Sequence, residues 1–143
     1  MSKVLFFGLP LHGHANPSLG LVKELTARGE QVIYYSFPEF RETILATGAE
    51  YRESPEADLV GDLELLATRL SYVYLAVSKA ADNNTETCVK IIKTEKPDYV
   101  IHDSLAAWGK FAAIATNTPS VASISTFLFN RTSITPLGFL TGV

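Results

Sequence analysis

Cysteine is almost missing from this chain: Cys88 is the only one among 143 residues. A lone thiol excludes an internal disulfide framework and cannot by itself build a thiolate metal centre. It fits a reducing, cytoplasmic setting. Positive charge is scarce as well. Twelve Lys and Arg stand against 15 Asp and Glu, for a net charge of −3, so electrostatics give no reason to expect nucleic acid or an anionic membrane as partner. No apolar run reaches the roughly 18 residues that a membrane span needs. The N-terminus lacks the apolar stretch and small-residue cleavage site of a signal peptide. Glycine is sparse where a dinucleotide would need it. Gly8 and Gly13 do not make the three-glycine turn, and no phosphate-binding lysine follows, which argues against a hydride-transfer cofactor.

What is present reads as one globular domain over residues 1–143. Hydrophobic residues make up 47% and charged residues 19%, a balance slightly richer in apolar side chains than a free-standing domain requires. Part of that surface is expected to face something outside the domain. Strands and helices alternate. Lys3–Gly8 is a short, nearly continuous apolar run, as in a strand covered on both faces. Asn16 suits a helix cap and Pro17 a first helical position, with Leu21, Val22 and Leu25 as the apolar stripe and Gly29 as a left-handed stop. Gln31–Ser36 is a second strand, a helix opens at Pro38 and closes at Gly48, and Ala49–Glu53 is a third strand.

Ser54–Gly61 is expected to be a loop at the mouth of any site. From Asp62 to about Lys79 apolar residues recur three and four apart, the spacing of an amphipathic helix. The polar run Ala80–Thr85 interrupts or continues it, and Thr87–Glu95 is helical again, ended by Pro97. Asp98–Asp103 is a fourth strand, Ser104–Thr116 a helix and Pro119–Ile124 a fifth strand, while residues 127–143 show no clear period. This succession predicts an α/β fold, a doubly wound, Rossmann-like parallel sheet in the order 3-2-1-4-5.

That order has a chemical consequence. Strands 1 and 4 become neighbours, and the crevice at their carboxyl ends would hold His12 and His14, which follow strand 1, and Asp103, which ends strand 4. An imidazole titrates near neutrality, and a carboxylate on its second nitrogen fixes the tautomer and steadies the imidazolium. That pairing is a general base with its orienter; the nucleophile would come from the substrate. Other readings compete. A loop histidine is commonly just solvated, and Asp103 alone could cap the next helix. A metal site from His12, His14, Asp103 and His102 has poor ligand spacing. His102 should point to the other face of its strand, which makes it structural. Tyr72, Tyr74 and Trp108 fall at helical spacing, where most aromatics are core residues.

The segment Leu11-His-Gly-His-Ala-Asn-Pro-Ser-Leu19, the helix end Ala27-Arg28-Gly29, the stretch Lys96-Pro-Asp-Tyr-Val-Ile-His-Asp103 and the Asn117-Thr-Pro-Ser-Val121 connection together resemble the N-terminal half of nucleotide-sugar-dependent glycosyltransferases of two-domain GT-B architecture. Bacterial macrolide glycosyltransferases look most similar. The likeness covers essentially the whole chain. It implies an acceptor-binding domain whose C-terminal donor-binding partner is absent from these 143 residues. It places the general base on His14, in Gly13-His14-Ala15-Asn16-Pro17, and the paired carboxylate on Asp103. His12, where many relatives carry another residue, is given no base role. His12, Asn16, Tyr72 and Trp108 are the candidate acceptor contacts. The helix end, where the family commonly has Arg-Gly-His, reads Arg28-Gly29-Glu30 here.

The expected reaction is inverting transfer of a hexose from a UDP-sugar to a hydroxyl of an apolar small molecule, such as a macrolide or flavonoid. No metal and no resident cofactor is expected, and the chain alone should be inactive. Two other classes remain open: a non-catalytic α/β domain that binds a small molecule or a partner, and a metal-dependent hydrolase using His12, His14 and Asp103.

Overall fold

The computed structural model describes residues 1–54 and 70–125, with side chains of 70–74 excepted. Most of the expected loop Ser54–Gly61, the start of the helix placed at Asp62, the Tyr72 side chain and residues 127–143 lie outside that description. Five strands, β1 (Lys3–Phe7), β2 (Gln31–Ser36), β3 (Glu50–Glu53), β4 (Tyr99–Asp103) and β5 (Ser120–Ser123), form one sheet. Its order is β3-β2-β1-β4-β5, and every pairing is parallel. The order and direction are those expected from the alternation of elements.

Strand parity divides the core into two layers. Val4 and Phe6 of β1, with Val32, Tyr34 and Ile101, pack on one face against Ala15 and Val22 of helix α1 (His12–Ala27) and Ile44 of the short α2 (Arg41–Leu45), which follows a 3₁₀ turn at Pro38–Phe40. Leu5 and Phe7, with Ile33, Tyr35 and Val100, face the other way. They pack against Cys88 and Ile92 of α3 (Leu70–Glu95) and Trp108, Ala112 and Ala113 of α4 (Ala107–Thr116). Helices on both faces leave β1 buried from Val4 to Phe7, which is why that strand carries no alternation of polar residues.

One boundary differs from the sequence expectation. Helix α1 starts at His12, not after Asn16, so Asn16 is not its cap and Pro17 lies inside it. The N–H groups of His14 and Ala15 both reach the Leu11 carbonyl, at 2.9 and 2.8 Å, and this nucleates the helix one turn upstream. Pro17 has no N–H for the Gly13 carbonyl, but Gly13 is exposed, so that oxygen is open to solvent. The far end behaves as expected. Gly29 has φ +86°, and the N–H groups of Gly29 and Glu30 bond back to Thr26 and Leu25 at 2.9 and 3.0 Å, closing a Schellman turn.

Of the two alternatives the sequence left open for the polar stretch 80–85, the structure takes the second: α3 runs through it unbroken. Asn84 Nδ2 donates to the Ala80 carbonyl at 2.7 Å and Thr85 Oγ1 to the Ala81 carbonyl at 2.6 Å. Side chains that could have ended the helix instead bond back along it.

Candidate active site

The site sits at the carboxyl edge of β1 and β4. After Phe7 the chain turns through Gly8–Leu11, tightened by a 2.8 Å bond from the Leu11 N–H to the Leu9 carbonyl, and enters α1. His14 is the third residue of that helix and only 8% exposed. Asp103, the last residue of β4, shares strand parity with Ile101 and so faces α1; it is 3% exposed. The two meet across 89 residues of sequence: His14 Nδ1 lies 3.0 Å from Asp103 Oδ2 and 3.1 Å from Oδ1.

The carboxylate is held in turn. The Leu105 N–H donates to Oδ1 at 2.8 Å. Asp103 thus also shapes the turn before α4, but it does not cap that helix, whose N-cap, Ala106, has no side-chain bond. Ser125, two residues beyond β5, was not among the residues singled out from sequence. Its Oγ lies 2.6 Å from His14 Nδ1 and its hydroxyl donates to Asp103 Oδ2 at 3.2 Å. The signal that could have found it is topological: β5 pairs with β4, Ser123 opposite Asp103, so a hydroxyl just past β5 stands beside the carboxylate. Because an ionised carboxylate only accepts, Nδ1 carries the hydrogen, and in the neutral ring Nε2 is the basic nitrogen.

Beneath this pair lies a second buried network. Ser18, one helical turn after His14, donates to the Ala15 carbonyl at 2.7 Å and lies 2.8 Å from the Tyr34 hydroxyl, which must then donate to it. Burial pushes the Tyr34 phenol up to about 12, so it stays a neutral donor at physiological pH. Its ring stacks on Phe6 with centroids 4.4 Å apart. Gly8 fits against this ring because it has no side chain: a Cβ there would come within 2.5 Å of the Tyr34 hydroxyl. Gly8→Ala is expected to cost about 1–3 kcal/mol of folding stability through overpacking, read as a lower urea midpoint. An unchanged midpoint would show that Tyr34 is free to move.

The other candidates are not gathered with the pair. His12 is exposed; its ring lies 5.0 Å from that of Phe40 and its Nδ1 4.0 Å from Glu39 Oε1. Residues two apart on a helix do not share a face. Asn16 is exposed on the second turn of α1. Trp108, expected among the acceptor contacts, is only 2% exposed and packs in the layer between the sheet, α3 and α4, on the side of the sheet away from His14. That position makes it a core residue, in the same buried cluster as Phe7. The Tyr72 side chain lies outside the described residues. His102 is buried on the same side as Trp108 and bonds through Nδ1 to the Asp103 carbonyl at 3.0 Å. Burial lowers its pKa, which favours the neutral ring and fits the structural part expected of it. Among the described residues no three His, Cys, Asp or Glu side chains come together as a metal site would require.

The fold is a doubly wound α/β domain, with the buried His14–Asp103 pair at the topological switch point between β1 and β4, the edge at which ligands bind in open sheets of this class. Comparison with known proteins narrows the class: the chain is similar in sequence to bacterial proteins named as UDP-glucosyltransferases and NDP-glycosyltransferases. It is 34% identical over 138 residues to YojK of Bacillus subtilis (strain 168), an uncharacterized UDP-glucosyltransferase, with 92% of this chain and 33% of YojK covered. It is 30% identical over 129 residues to the oleandomycin glycosyltransferase of Streptomyces antibioticus, covering 83% of this chain and 28% of that enzyme. The chain thus spans about a third of the length of the curated relatives it matches. No protein-family model matches it. The crystal structure of the calicheamicin glycosyltransferase CalG4 superimposes with a TM-score of 0.80 at 24% identity, over 99% of this chain and 37% of that one, and shows the same fold. No described helix is long and apolar enough to cross a membrane.

Proposed function

We propose that these residues form the N-terminal, acceptor-binding domain of an inverting glycosyltransferase of GT-B architecture, which moves a hexose from a UDP-sugar to a hydroxyl of an apolar small molecule. The observation that carries the reading is the buried His14–Asp103 pair, 3.0 Å apart, in a chain similar in sequence to proteins named as glycosyltransferases. His14 Nε2 takes the acceptor hydroxyl proton as the oxygen attacks the anomeric carbon. The new C–O bond forms as the bond to the diphosphate oxygen breaks on the opposite face, and UDP leaves with the electron pair. Asp103 stabilises the imidazolium that results.

In this scheme the nucleotide sugar is bound by the remaining part of a longer enzyme, so residues 1–143 alone do not turn over. The diphosphate charge is met there by a helix N-terminus and side chains, without a metal. A macrolide-like acceptor fits the oleandomycin glycosyltransferase among the relatives, and a flavonoid-like one fits the apolar excess of the chain; in this reading His12 and Asn16, open to solvent at the start of α1, border the acceptor. The lone Cys88 fits work in the cytoplasm.

The test is an assay of the longer enzyme with UDP-glucose and a polyphenol or macrolide. A β-glucoside, identified by its anomeric proton coupling, is the expected product. An α-linked product, or hydrolysis of an ester in place of sugar transfer, would overturn the assignment.

A further inference from the structure

We propose that Ser125 is a positioning residue for His14. The proposal rests on the reading of His14 as the base and adds a third group to its support. Three side chains meet within hydrogen-bond distance: Nδ1 of His14 lies 2.6 Å from Ser125 Oγ and 3.0 Å from Asp103 Oδ2, and Ser125 Oγ lies 3.2 Å from that same Oδ2. A count of hydrogens assigns the roles. The serine hydroxyl hydrogen goes to the carboxylate, so the oxygen turned to the ring offers a lone pair and accepts from Nδ1–H. The carboxylate also accepts the Leu105 N–H, at 2.8 Å on Oδ1.

This arrangement separates Ser125 from a hydrolytic nucleophile. In a Ser–His–Asp relay the serine and the aspartate engage opposite ring nitrogens, whereas here both lie on Nδ1. Ser125 therefore has no route to pass its proton to Nε2. Its hydroxyl closes a ring of three side chains that fixes two rotations at once. One is the rotation of the imidazole about its bond to Cβ; the other is that of the Asp103 carboxyl plane. Asp103 by itself reaches Nδ1 with both oxygens at nearly equal distance, which leaves the ring free to rock between them. The shorter contact from Ser125 removes that freedom and holds Nε2 toward the crevice.

Ser125 also links the base to a separate element. His14 belongs to α1, Asp103 to β4, and Ser125 to the segment leaving β5. The ring orientation is thus tied to the outermost strand on that side, which bonds to the main chain just after Asp103 through the Ser104 N–H and the Ser123 carbonyl at 2.9 Å.

The experiment compares the intact enzyme with its Ser125→Ala and Ser125→Thr variants. Ser125→Ala should lower kcat about tenfold, within the range that small misplacements of a catalytic group cause, while KM for acceptor and for nucleotide sugar each stay within about twofold. Ser125→Thr, which keeps the hydroxyl, should recover most of the loss. A raised KM for the nucleotide sugar at unchanged kcat would overturn the proposal and assign Ser125 to sugar binding. A second measurement needs no turnover: long-range ¹⁵N NMR of the His14 ring, assigned by its loss in His14→Gln. The wild type should hold hydrogen on Nδ1, and Ser125→Ala should increase the fraction with hydrogen on Nε2. Ring nitrogens that do not respond to Ser125→Ala would refute the positioning role even if His14 proves to be the base. A response in an enzyme whose His14→Ala variant stays active would instead discard the base and keep the contact.

Discussion

His14→Ala in the intact enzyme is expected to lower kcat by about 10² to 10⁴, the usual contribution of a positioned general base, with KM for the nucleotide sugar little changed. The size of the effect follows from what the variant keeps. Acceptor and donor are still bound and oriented, so proximity continues to contribute, but the acceptor hydroxyl must lose its proton to water. The fold should survive the change. Asp103 retains the Leu105 N–H and the Ser125 hydroxyl as donors, so the buried carboxylate is not stranded, and the cavity left by the imidazole opens at the edge of the sheet. Initial-rate kinetics beside a circular dichroism spectrum decide the matter. Turnover within about threefold of wild type, in a folded protein, would remove His14 from the mechanism.

The second large effect is expected from Asp103→Asn, a nearly isosteric change that acts through the tautomer. The Leu105 N–H donates to Oδ1 at 2.8 Å and still needs an acceptor there, so the amide oxygen of the new side chain takes that position. The amide NH₂ then falls where Oδ2 was, 3.0 Å from His14 Nδ1. The Ser125 hydroxyl loses its acceptor at that position and turns its hydrogen to Nδ1, 2.6 Å away, so two donors face that nitrogen, which becomes the acceptor while the ring hydrogen moves to Nε2. The base would then have its lone pair on the wrong side. In Ser–His–Asp enzymes the same wrong-tautomer effect costs about 10⁴ in kcat, and a loss of about 10³ to 10⁴ is expected here, with stability changed far less than activity. The double variant His14→Ala, Asp103→Asn should be scarcely slower than His14→Ala alone, because the carboxylate acts only through the ring. Additive losses would show that Asp103 has a separate role.

The plan of the fold was legible because it rests on patterns that repeat locally. Apolar runs such as Lys3–Phe7 and Tyr99–Asp103 alternate with helical segments, and right-handed crossovers leave few ways to order five parallel strands. Once strands 1 and 4 were neighbours, His14 and Asp103 were brought to one edge by the topology alone. Details that depend on competition between nearby hydrogen bonds were not legible. Asn16-Pro17 has the composition of a helix start, yet the Leu11 carbonyl captured two N–H groups a turn earlier. The polar stretch 80–85 has the composition of a break, yet Asn84 and Thr85 bond back to their own helix.

The candidate site divides the same way. Residue type and spacing nominated the base and its carboxylate, but they could not rank the aromatic residues: Trp108 has the same helical spacing whether it lines a pocket or the core, and only the packing of α4 on Phe7 puts it in the core. Nor could they separate His12 from His14 by geometry. In the structure His14 lies against the end of β4 while His12, two residues away on the same helix, faces Glu39 and Phe40. By itself, then, the sequence determined the strand order, the two faces of the sheet and the edge at which chemistry-bearing side chains collect, since these follow from hydrophobic period and chain connectivity. The tertiary structure alone decided which nitrogen of His14 is engaged, and by what. That choice depends on a carboxylate from β4 and a hydroxyl past β5 arriving within about 3 Å of one ring atom, a coincidence of three distant segments that no local pattern encodes.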